Sequence, residues 1–105
     1  MNTKSLYINL FFLLLFCLTN AQTATIKGII LDSDNLPIPN VNIKAGTSGT
    51  VTNDNGFYIL KIRSNQDVLV EFTHISHKKI ESTFNLKNGE TYEFNPVMSI
   101  SVEQI

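Results

Sequence analysis

The sequence predicts an all-β domain of short strands, and three observations support this fold class. Apolar and polar residues alternate along several short stretches, as they do in strands that bury one face. Clusters of Asn, Asp, Ser, Gly and Pro separate these stretches at regular intervals. After the first 21 residues, no window of about a dozen residues shows the apolar spacing of a helix. Regularly spaced short strands favour an antiparallel sandwich or barrel.

The composition is that of one small globular domain. The chain has 105 residues, a formal net charge of -1, 16% charged residues and 43% hydrophobic residues. Nucleic-acid-binding domains carry an excess of basic residues, which this chain lacks. We therefore predict one domain that does not bind nucleic acid.

The N-terminus has the pattern of a secretory signal peptide. Lys4 precedes an apolar run in which every residue from 10 to 18 is apolar, and Thr19-Asn20-Ala21 places small residues at positions -3 and -1 of a cleavage site. The run is shorter than the roughly 20 residues of a membrane-spanning helix. We predict that residues 1–21 are a signal peptide cleaved after Ala21, and that the product is exported to the periplasm or the outer membrane. The alternative is an uncleaved N-terminal anchor.

Cys17 is the only cysteine, and it lies inside the apolar run. A mature chain beginning at Gln22 would contain none, so disulfides cannot stabilise it. Lipid attachment at Cys17 is disfavoured because Phe16, rather than a small residue, precedes it. The domain at residues 22–98 must then be stabilised by apolar packing, and residues 99–105 are predicted as a C-terminal tail or the start of a linker.

The first half of the domain is predicted to contain two strands joined by a loop. Alternation from Thr23 to Asp32 predicts the first strand, in which Gly28 indicates a bulge or the close approach of another backbone. Residues 32–40 are predicted as a loop because their Pro-Ile-Pro run withholds two backbone donors from any ladder. Alternation resumes from Val41 to Ala45 and predicts the second strand.

The centre of the domain is predicted to be a β-hairpin. Its strands are Thr50–Thr52 and Phe57–Ile62, and the turn is made of four residues whose short polar side chains tolerate positive φ or bond their own backbone: Asn53, Asp54, Asn55 and Gly56. The Asn-Gly pair favours a primed turn. After the turn, the core face is predicted to comprise Tyr58, Leu60 and Ile62, because the opposite face carries a lysine.

Three further strands complete a predicted total of seven. The first runs from Val68 to Ile75 and is expected to bury its even-numbered residues as far as Phe72. The second runs from Ile80 to Leu86, after an interruption at His77-Lys78-Lys79. The last runs from Thr91 to Met98, where Pro96 marks its end or places it at a sheet edge. Pro96 and the pair Lys78-Lys79 are expected to limit indiscriminate pairing at the strands they border.

The histidines and the central turn do not have the spacing of a metal site. His74 and His77 are three residues apart, which on one strand directs them to opposite faces, so together with Glu71 they would make a poor zinc site. Asp54 offers one carboxylate, whereas calcium takes about six to eight oxygen ligands. We predict a structural turn at Asn53 to Gly56, and neither a metal site nor a cofactor.

The sequence also lacks a recognisable catalytic constellation. Ser48, Ser76 and the two histidines have no spacing that identifies a nucleophile and its base. We therefore predict that the protein is not an enzyme.

Several motifs follow one another in a characteristic order and spacing. In chain order they are Ile26-Lys27-Gly28-Ile29-Ile30 with Asp32, Leu36-Pro37-Ile38-Pro39-Asn40-Val41-Asn42-Ile43, Gly46-Thr47 with Gly49-Thr50, and Thr52-Asn53-Asp54-Asn55-Gly56 with Tyr58, Leu60 and Ile62. Together they resemble the carboxypeptidase-regulatory-like domain family, and the most specific part is the series of Gly-Thr, Gly-Thr, Thr, Asn-Gly, Tyr and Leu. The resemblance covers Thr23 to Met98 and implies a prealbumin-like β-sandwich of seven strands. Two positions depart from it: similar domains commonly have Gly-Tyr at Ser76-His77 and Asp at Asn53.

The resemblance also implies a function. Similar domains often stand at the N-terminus of TonB-dependent outer-membrane receptors, directly after the signal peptide, and Val102-Glu103-Gln104-Ile105 resembles the start of the following linker. We expect a non-catalytic periplasmic accessory or interaction domain, truncated or free-standing here. Its expected partners are an outer-membrane receptor or transport components, and membrane association is expected only through a linked barrel or an uncleaved signal segment.

The alternative function is a secreted carbohydrate- or peptide-binding module. Such a module would present exposed aromatic residues on one face. The chain has no tryptophan, and both tyrosines after the signal segment, Tyr58 and Tyr92, fall on predicted core faces. The sequence therefore favours the accessory domain over the binding module.

Overall fold

A computed structural model describes residues 22–101, and this part of the chain is all β with no helix. Its nine strands are β1 (Thr23–Ile29), β2 (Leu31–Asp32), β3 (Asn42–Ala45), β4 (Ser48–Val51), β5 (Phe57–Arg63), β6 (Val68–His74), β7 (His77–Phe84), β8 (Thr91–Glu93) and β9 (Val97–Met98). Within that range no helix has the length and apolar character needed to cross a bilayer. The predicted signal peptide and the tail residues 102–105 lie outside the described residues.

The strands form two layers. One layer is a four-stranded antiparallel sheet in the order β4-β3-β6-β7. The other is a three-stranded sheet in the order β5-β1-β8, beyond which β2 and β9 pair with each other. The predicted all-β fold is confirmed, and the arrangement of the described strands is sandwich-like.

The core lies between the two layers. Tyr58 of one layer meets Phe72 of the other in an edge-to-face contact, with ring centroids 5.7 Å apart. Eight large side chains are almost fully buried: Tyr58, Phe72, Ile26, Ile30, Ile43, Met98, Val41 and Val70. Burying a side chain of this kind stabilises a fold by about 1.5–3 kcal/mol. The predicted core face of β5 is confirmed, because Tyr58, Leu60 and Ile62 are all buried.

The count of seven strands is wrong, because the first and last predicted strands are each interrupted. Ile30 separates β1 from β2: its N–H donates to the Gly56 carbonyl (2.9 Å), and its own carbonyl accepts from the N–H of Ile38 (3.0 Å). Between β8 and β9, Pro96 has no N–H to donate. The Asn95 side chain lies there instead, and its Oδ1 accepts from the N–H of Ile29 (2.8 Å).

The antiparallel prediction holds for the four-stranded sheet but not for the whole domain. The pairs β1–β8 and β2–β9 are both parallel. Alternation of side chains reports burial and not strand direction, so the sequence pattern could not distinguish the two arrangements. The close approach predicted at Gly28 is confirmed, because a Cβ there would overlap the carbonyl of Phe94.

The predicted interruption at His77-Lys78-Lys79 is also wrong, because β7 begins at His77. Lysine is accommodated here because β7 is an edge strand and its side chains reach solvent. Lys79 Nζ lies 2.9 Å from Glu81 Oε1 and 3.3 Å from Glu71 Oε1. The hydrogen bonds that the Lys79 ammonium donates to these two carboxylates, that to Glu81 first, raise the pKa of Lys79.

Candidate interaction surface

The four predicted turn residues form one compact turn. The N–H of Gly56 donates to the carbonyl of Asn53 (2.9 Å), so the central positions are Asp54 and Asn55. Gly56 follows them with φ +73°, whereas Asn55 does not have positive φ. The predicted primed turn centred on the Asn-Gly pair is therefore wrong: the left-handed residue follows the turn, as in a type I turn extended by one glycine.

Asn53 organises this turn through its side chain. Its Oδ1 accepts hydrogen bonds from the N–H groups of Asn55 (2.9 Å) and Phe57 (3.1 Å). An amide oxygen accepts these bonds as a carboxylate oxygen would. Asn53, at a position where similar domains commonly have Asp, can therefore make the same two hydrogen bonds to the turn.

The turn does not close a hairpin within one sheet. It connects β4, in the four-stranded sheet, with β5, in the three-stranded sheet. The N–H of Asn53 donates to the carbonyl of Phe57 (3.0 Å), and beyond this pair the two strands enter different layers. Alternation on both sides of a polar turn is common to hairpins and to such inter-sheet connections, so the sequence pattern did not separate them.

Thr52 anchors the inter-sheet turn in the core. Its hydroxyl donates to the carbonyl of Ile38 (2.7 Å) and accepts from the N–H of Val41 (2.9 Å). Thr52 is buried, as are both of its partners. One hydroxyl thus satisfies two buried backbone groups of the proline-containing loop.

The two histidines lie together, contrary to the prediction that they project from opposite faces. Ile75 and Ser76 form the turn between β6 and β7, so His74 and His77 are cross-strand partners. Their Nδ1 atoms are 2.9 Å apart, and the Ser76 N–H also donates to His74 Nδ1 (3.2 Å). Burial and the neighbouring His77 lower the pKa of His74, although a backbone hydrogen bond at Pro39 acts in the opposite direction. Glu71 is instead paired with Lys79.

The serines considered as nucleophiles lie far apart in the fold. Ser76 contacts His74 through its backbone N–H, and Ser48 lies at the start of β4 in the same sheet. Among residues 22–101, no group of three or more His, Cys, Asp or Glu side chains converges as a metal site would require.

The tyrosines differ in environment. Tyr58 is buried, as predicted, and its hydroxyl donates to the carbonyl of Phe94 (2.6 Å). Burial raises the pKa of Tyr58 well above its usual range. The predicted burial of Tyr92 is wrong: the residue is 44% exposed on the edge strand β8, with its ring centroid 5.7 Å from that of Phe84.

One side of β5 lacks a hydrogen-bonded strand. Within the described residues β5 pairs with β1 alone, and β4 lies near its other side without pairing with it. The Gly56 carbonyl and the Ser64 N–H bond toward the β1 side, whereas both backbone groups of Phe57 bond to Asn53 on the other side. Because orientation alternates along a strand, the backbone groups of Ile59, Lys61 and Arg63 also face away from β1. We call this side of the strand the β5 edge.

The outer face beside the β5 edge carries an apolar patch. Phe57 and Ile29 are paired across the strands, with 41% and 45% of their surface exposed, and Ile59 is 54% exposed. We call these three residues the outer patch. Farther along the same face of β5 lie Lys61 and Arg63, both exposed. This outer face of β5 is therefore apolar at one end and basic at the other.

A groove lies at the basic end of the β5 edge. It has a volume of about 690 Å³ and extends from the end of β5, at Ile62 and Arg63, to the β3–β4 turn and the start of β6. Its apolar lining includes Ala45, Val68 and Leu69. We call it the end groove. No aromatic residue lines it within the described part of the chain.

The fold and the surface together define a small β-sandwich domain with an unpaired strand edge, and among its described residues no three His, Cys, Asp or Glu side chains converge. The family model described as "CarboxypepD_reg-like domain" matches residues 26–105. The chain therefore belongs to the carboxypeptidase-regulatory-like domain family.

Solved structures support the fold. The chain is similar to 3-chlorocatechol 1,2-dioxygenase from Rhodococcus opacus 1CP, with TM-score 0.59, 7% identity, and coverage of 77% of this chain and 61% of that one. It is also similar to a chain of a type II cohesin–X-dockerin complex from Acetivibrio cellulolyticus, with TM-score 0.56, 20% identity, and coverage of 71% and 56%. The chain thus spans less than two thirds of either relative. No curated protein matches the sequence.

Sequence reasoning missed the β5 edge as a site. The available signal was the outward set of β5, in which Phe57 and Ile59 are too apolar for a surface that stays in water. This edge has no paired strand because β5 belongs to a different sheet from β4. The alternation of apolar and polar residues does not report which sheet a strand joins.

Proposed function

We propose that this domain is a non-catalytic, exported accessory module, and that it extends a TonB-dependent outer-membrane nutrient receptor on its periplasmic side or acts there as a free-standing relative. Family membership supports the accessory role, because domains of this family recur beside the plug and barrel of such receptors. The signal-peptide pattern of residues 1–21 supports export. On this proposal its partners are the receptor or other transport components.

The observation that carries the proposal is the combination of the β5 edge with the outer patch. An unpaired strand edge offers backbone donors and acceptors to a partner strand. Burial of exposed apolar side chains by the partner further stabilises the complex. Phe57 and Ile59 supply such side chains directly beside the free backbone groups. The surface is thus suited to binding a polypeptide.

The contacts of the reactive side chains support the non-catalytic part of the proposal. The hydrogen bond between His74 and His77, together with the Ser76 N–H, closes the β6–β7 turn. The Tyr58 hydroxyl donates to the Phe94 carbonyl, and burial moves its pKa farther above neutral pH than that of a free tyrosine. These contacts support a domain that binds without carrying out a reaction.

The alternative, a secreted carbohydrate- or peptide-binding module, gains support from two exposed aromatic rings. Phe57 and Tyr92 are 41% and 44% exposed, on the two edge strands of the three-stranded sheet. Sugar-binding sites stack rings on a ligand, whereas the end groove is lined by aliphatic and polar residues. The peptide-binding form of this alternative therefore fits the surface better than the carbohydrate form.

Export is tested by the intact mass of the chain made in a Gram-negative host. We expect a periplasmic product that begins at Gln22, because cleavage follows Ala21. Leu14→Arg is the matched control, since a charge inside the apolar run should abolish export and leave the precursor. A product that retains residues 1–21, or a lipid adduct at Cys17, would contradict the proposed processing.

The accessory role is tested in a full-length homologous receptor that carries such a domain. Removing the segment that corresponds to Thr23–Met98 should leave the barrel assembled and change uptake or partner binding. The purified chain should show no peptidase activity, and His74→Ala should change no activity measurement. Peptide hydrolysis by the purified chain, abolished by that substitution, would refute the non-catalytic proposal.

A further inference from the structure

We propose that the β5 edge binds an extended, acidic segment of another protein by strand addition. The inference rests on the proposed accessory function and makes it specific, because it names the surface and the chemistry of the partner. Three features of the described residues carry it: the free backbone groups, the pattern of outward side chains, and the end groove.

The backbone of β5 provides the first feature. Phe57, Ile59, Lys61 and Arg63 direct their N–H and C=O groups away from β1, and Phe57 uses its groups to close the turn with Asn53. Three residues in alternation therefore remain for a partner. A strand that pairs with them would extend the three-stranded sheet to four strands.

The other edges of the domain are less suitable. β4 has four residues and β8 has three. The start of β7 is already occupied, because the N–H of Lys78 donates to the Ser99 carbonyl (2.8 Å) and the N–H of Ser101 donates to the Ser76 carbonyl (3.0 Å). The rest of β7 also lacks a hydrogen-bonded neighbour on its outer side, but Lys79, Glu81 and Thr83 on its exposed face offer a partner no apolar side chain, as Phe57 and Ile59 of β5 do.

The side chains of the outer face provide the second feature. Paired strands place directly opposed side chains about 4.5–5.5 Å apart, so a partner strand meets Phe57 and Ile59 at one end and Lys61 and Arg63 at the other. Within residues 22–101, the ion pairs are those of Lys79 with Glu71 and Glu81, and neither basic residue of β5 takes part in one. A partner with apolar residues at one end and carboxylates at the other complements this pattern.

The end groove provides the third feature. A strand on the β5 edge directs alternate side chains toward the space between the two layers. At the basic end, that space is the end groove, which offers apolar contacts at Ala45, Ile62 and Val68 and whose carboxylates, Asp67 and Glu71, disfavour an acidic side chain pointing inward. The inward residues of the partner are therefore expected to be apolar.

A second copy of this chain does not meet these requirements. If two β5 strands paired antiparallel about Leu60, Lys61 of one copy would lie diagonally opposite Lys61 of the other. The outward set of β5 contains no carboxylate, so the basic residues of both copies would remain uncompensated. The charge pattern selects an acidic partner instead.

The test uses the full 105-residue chain and blocked eight-residue peptides of valine that carry glutamate at two alternate positions near one end, so that the carboxylates can meet Lys61 and Arg63 while valines meet Phe57 and Ile59. Matched peptides replace every glutamate with lysine, or carry N-methyl groups on alternate amides so that one edge cannot pair. Binding is followed by fluorescence anisotropy and mapped by amide chemical shifts. We expect the glutamate peptide to bind about tenfold or more tightly than either control, with the largest shifts in β5.

Variants of the chain separate the contributions of the backbone and of the basic side chains to peptide binding. Ile59→Pro removes a donor that faces away from β1 and should weaken binding about tenfold, while the thermal melt shows whether the fold persists. Lys61→Glu with Arg63→Glu should reverse the preference toward the lysine peptide. Lys78→Glu is the matched control on the opposite edge and should leave affinity within about twofold.

Several results would overturn the proposal. The acidic and basic peptides could bind with equal affinity, or N-methylation of the acidic peptide could leave its binding unchanged. The largest amide chemical-shift changes could instead map to β7. A dimer that Ile59→Pro dissociates would assign the edge to a second copy and would likewise overturn it. None of these results bears on export or on the absence of peptidase activity, so the proposed function is judged separately.

Discussion

Replacing Thr52 with valine removes one hydroxyl and keeps the shape of the side chain. The change leaves the Val41 N–H and the Ile38 carbonyl without their partner, and both residues are buried. A buried backbone group left unpaired costs about 1–3 kcal/mol. The added methyl group returns about 0.8 kcal/mol through burial. We therefore expect Thr52→Val to lower the free energy of unfolding by about 2–4 kcal/mol.

This loss is a large part of the stability of such a domain. A fold of this size has a free energy of unfolding of about 4–12 kcal/mol, and 1 kcal/mol corresponds to a shift of about 4–8 °C in Tm. Thr52→Val should therefore lower Tm by about 10–30 °C in circular dichroism melts. Urea titration should show a lower midpoint with an unchanged slope.

Two variants control for side-chain shape and position. Thr52→Ser retains the hydroxyl and should lose only about 1 kcal/mol, through the missing methyl group. Thr50→Val changes a half-buried threonine in β4 whose hydroxyl makes no hydrogen bond within the described residues, and should stay within about 0.5 kcal/mol of the parent. If Thr52→Val melts with the parent, or if Thr52→Ser is as damaging as Thr52→Val, the two hydrogen bonds do not anchor the turn.

Three further predictions concern the turn and the titrating groups. Gly56→Ala should cost about 1–3 kcal/mol and more than Gly89→Ala, because both glycines have positive φ but only a methyl group at Gly56 would lie 2.7 Å from the Ile30 carbonyl oxygen. Equal urea midpoints for the two variants would show that close approach plays no part. Tyr58→Phe should cost about 1–2 kcal/mol through its lost bond to Phe94. Because burial raises the pKa of Tyr58, the unfolded chain releases this proton first, so stability should fall as pH rises above about 10, and less steeply in Tyr58→Phe. An identical slope in the variant would exclude Tyr58 as the cause. Since the pKa of His74 is lowered by burial and by His77, the unfolded chain binds this proton more readily. Stability should therefore fall as pH drops below about 6.5, and His74→Gln should reduce that dependence in melts at matched pH values; an unaltered dependence would contradict it.

The sequence was most informative about which residues are buried. Alternation placed Tyr58, Leu60, Ile62 and Phe72 on core faces, and all four are buried. The reason is that successive side chains of a strand point to opposite faces, and one face is buried. The residue type at each position therefore indicates which face is buried. Glycine inside a strand indicated a bulge or the close approach of another backbone at Gly28, and the structure shows the close approach, to Phe94.

The arrangement of the strands was harder to predict from the sequence. Parallel pairing of β1 with β8, and the change of sheet between β4 and β5, depend on contacts between distant segments that no local pattern records. The separation predicted for His74 and His77 failed for a related reason: the turn at Ile75-Ser76 reverses the chain, which a count along one strand ignores. The β5 edge follows from the same topology and so could not be located from the sequence alone.

Amide hydrogen exchange along β5 tests the central claim most directly, because it reports both the strand pairing and the free edge. In the chain alone, the N–H groups of Tyr58, Leu60 and Ile62 should exchange slowly, whereas those of Ile59, Lys61 and Arg63 should exchange rapidly. Addition of the valine–glutamate peptide should slow the second set without altering the first. Slow exchange of the second set in the chain alone, or no change on peptide addition, would contradict the claim that the β5 edge is the free, partner-binding surface of this domain.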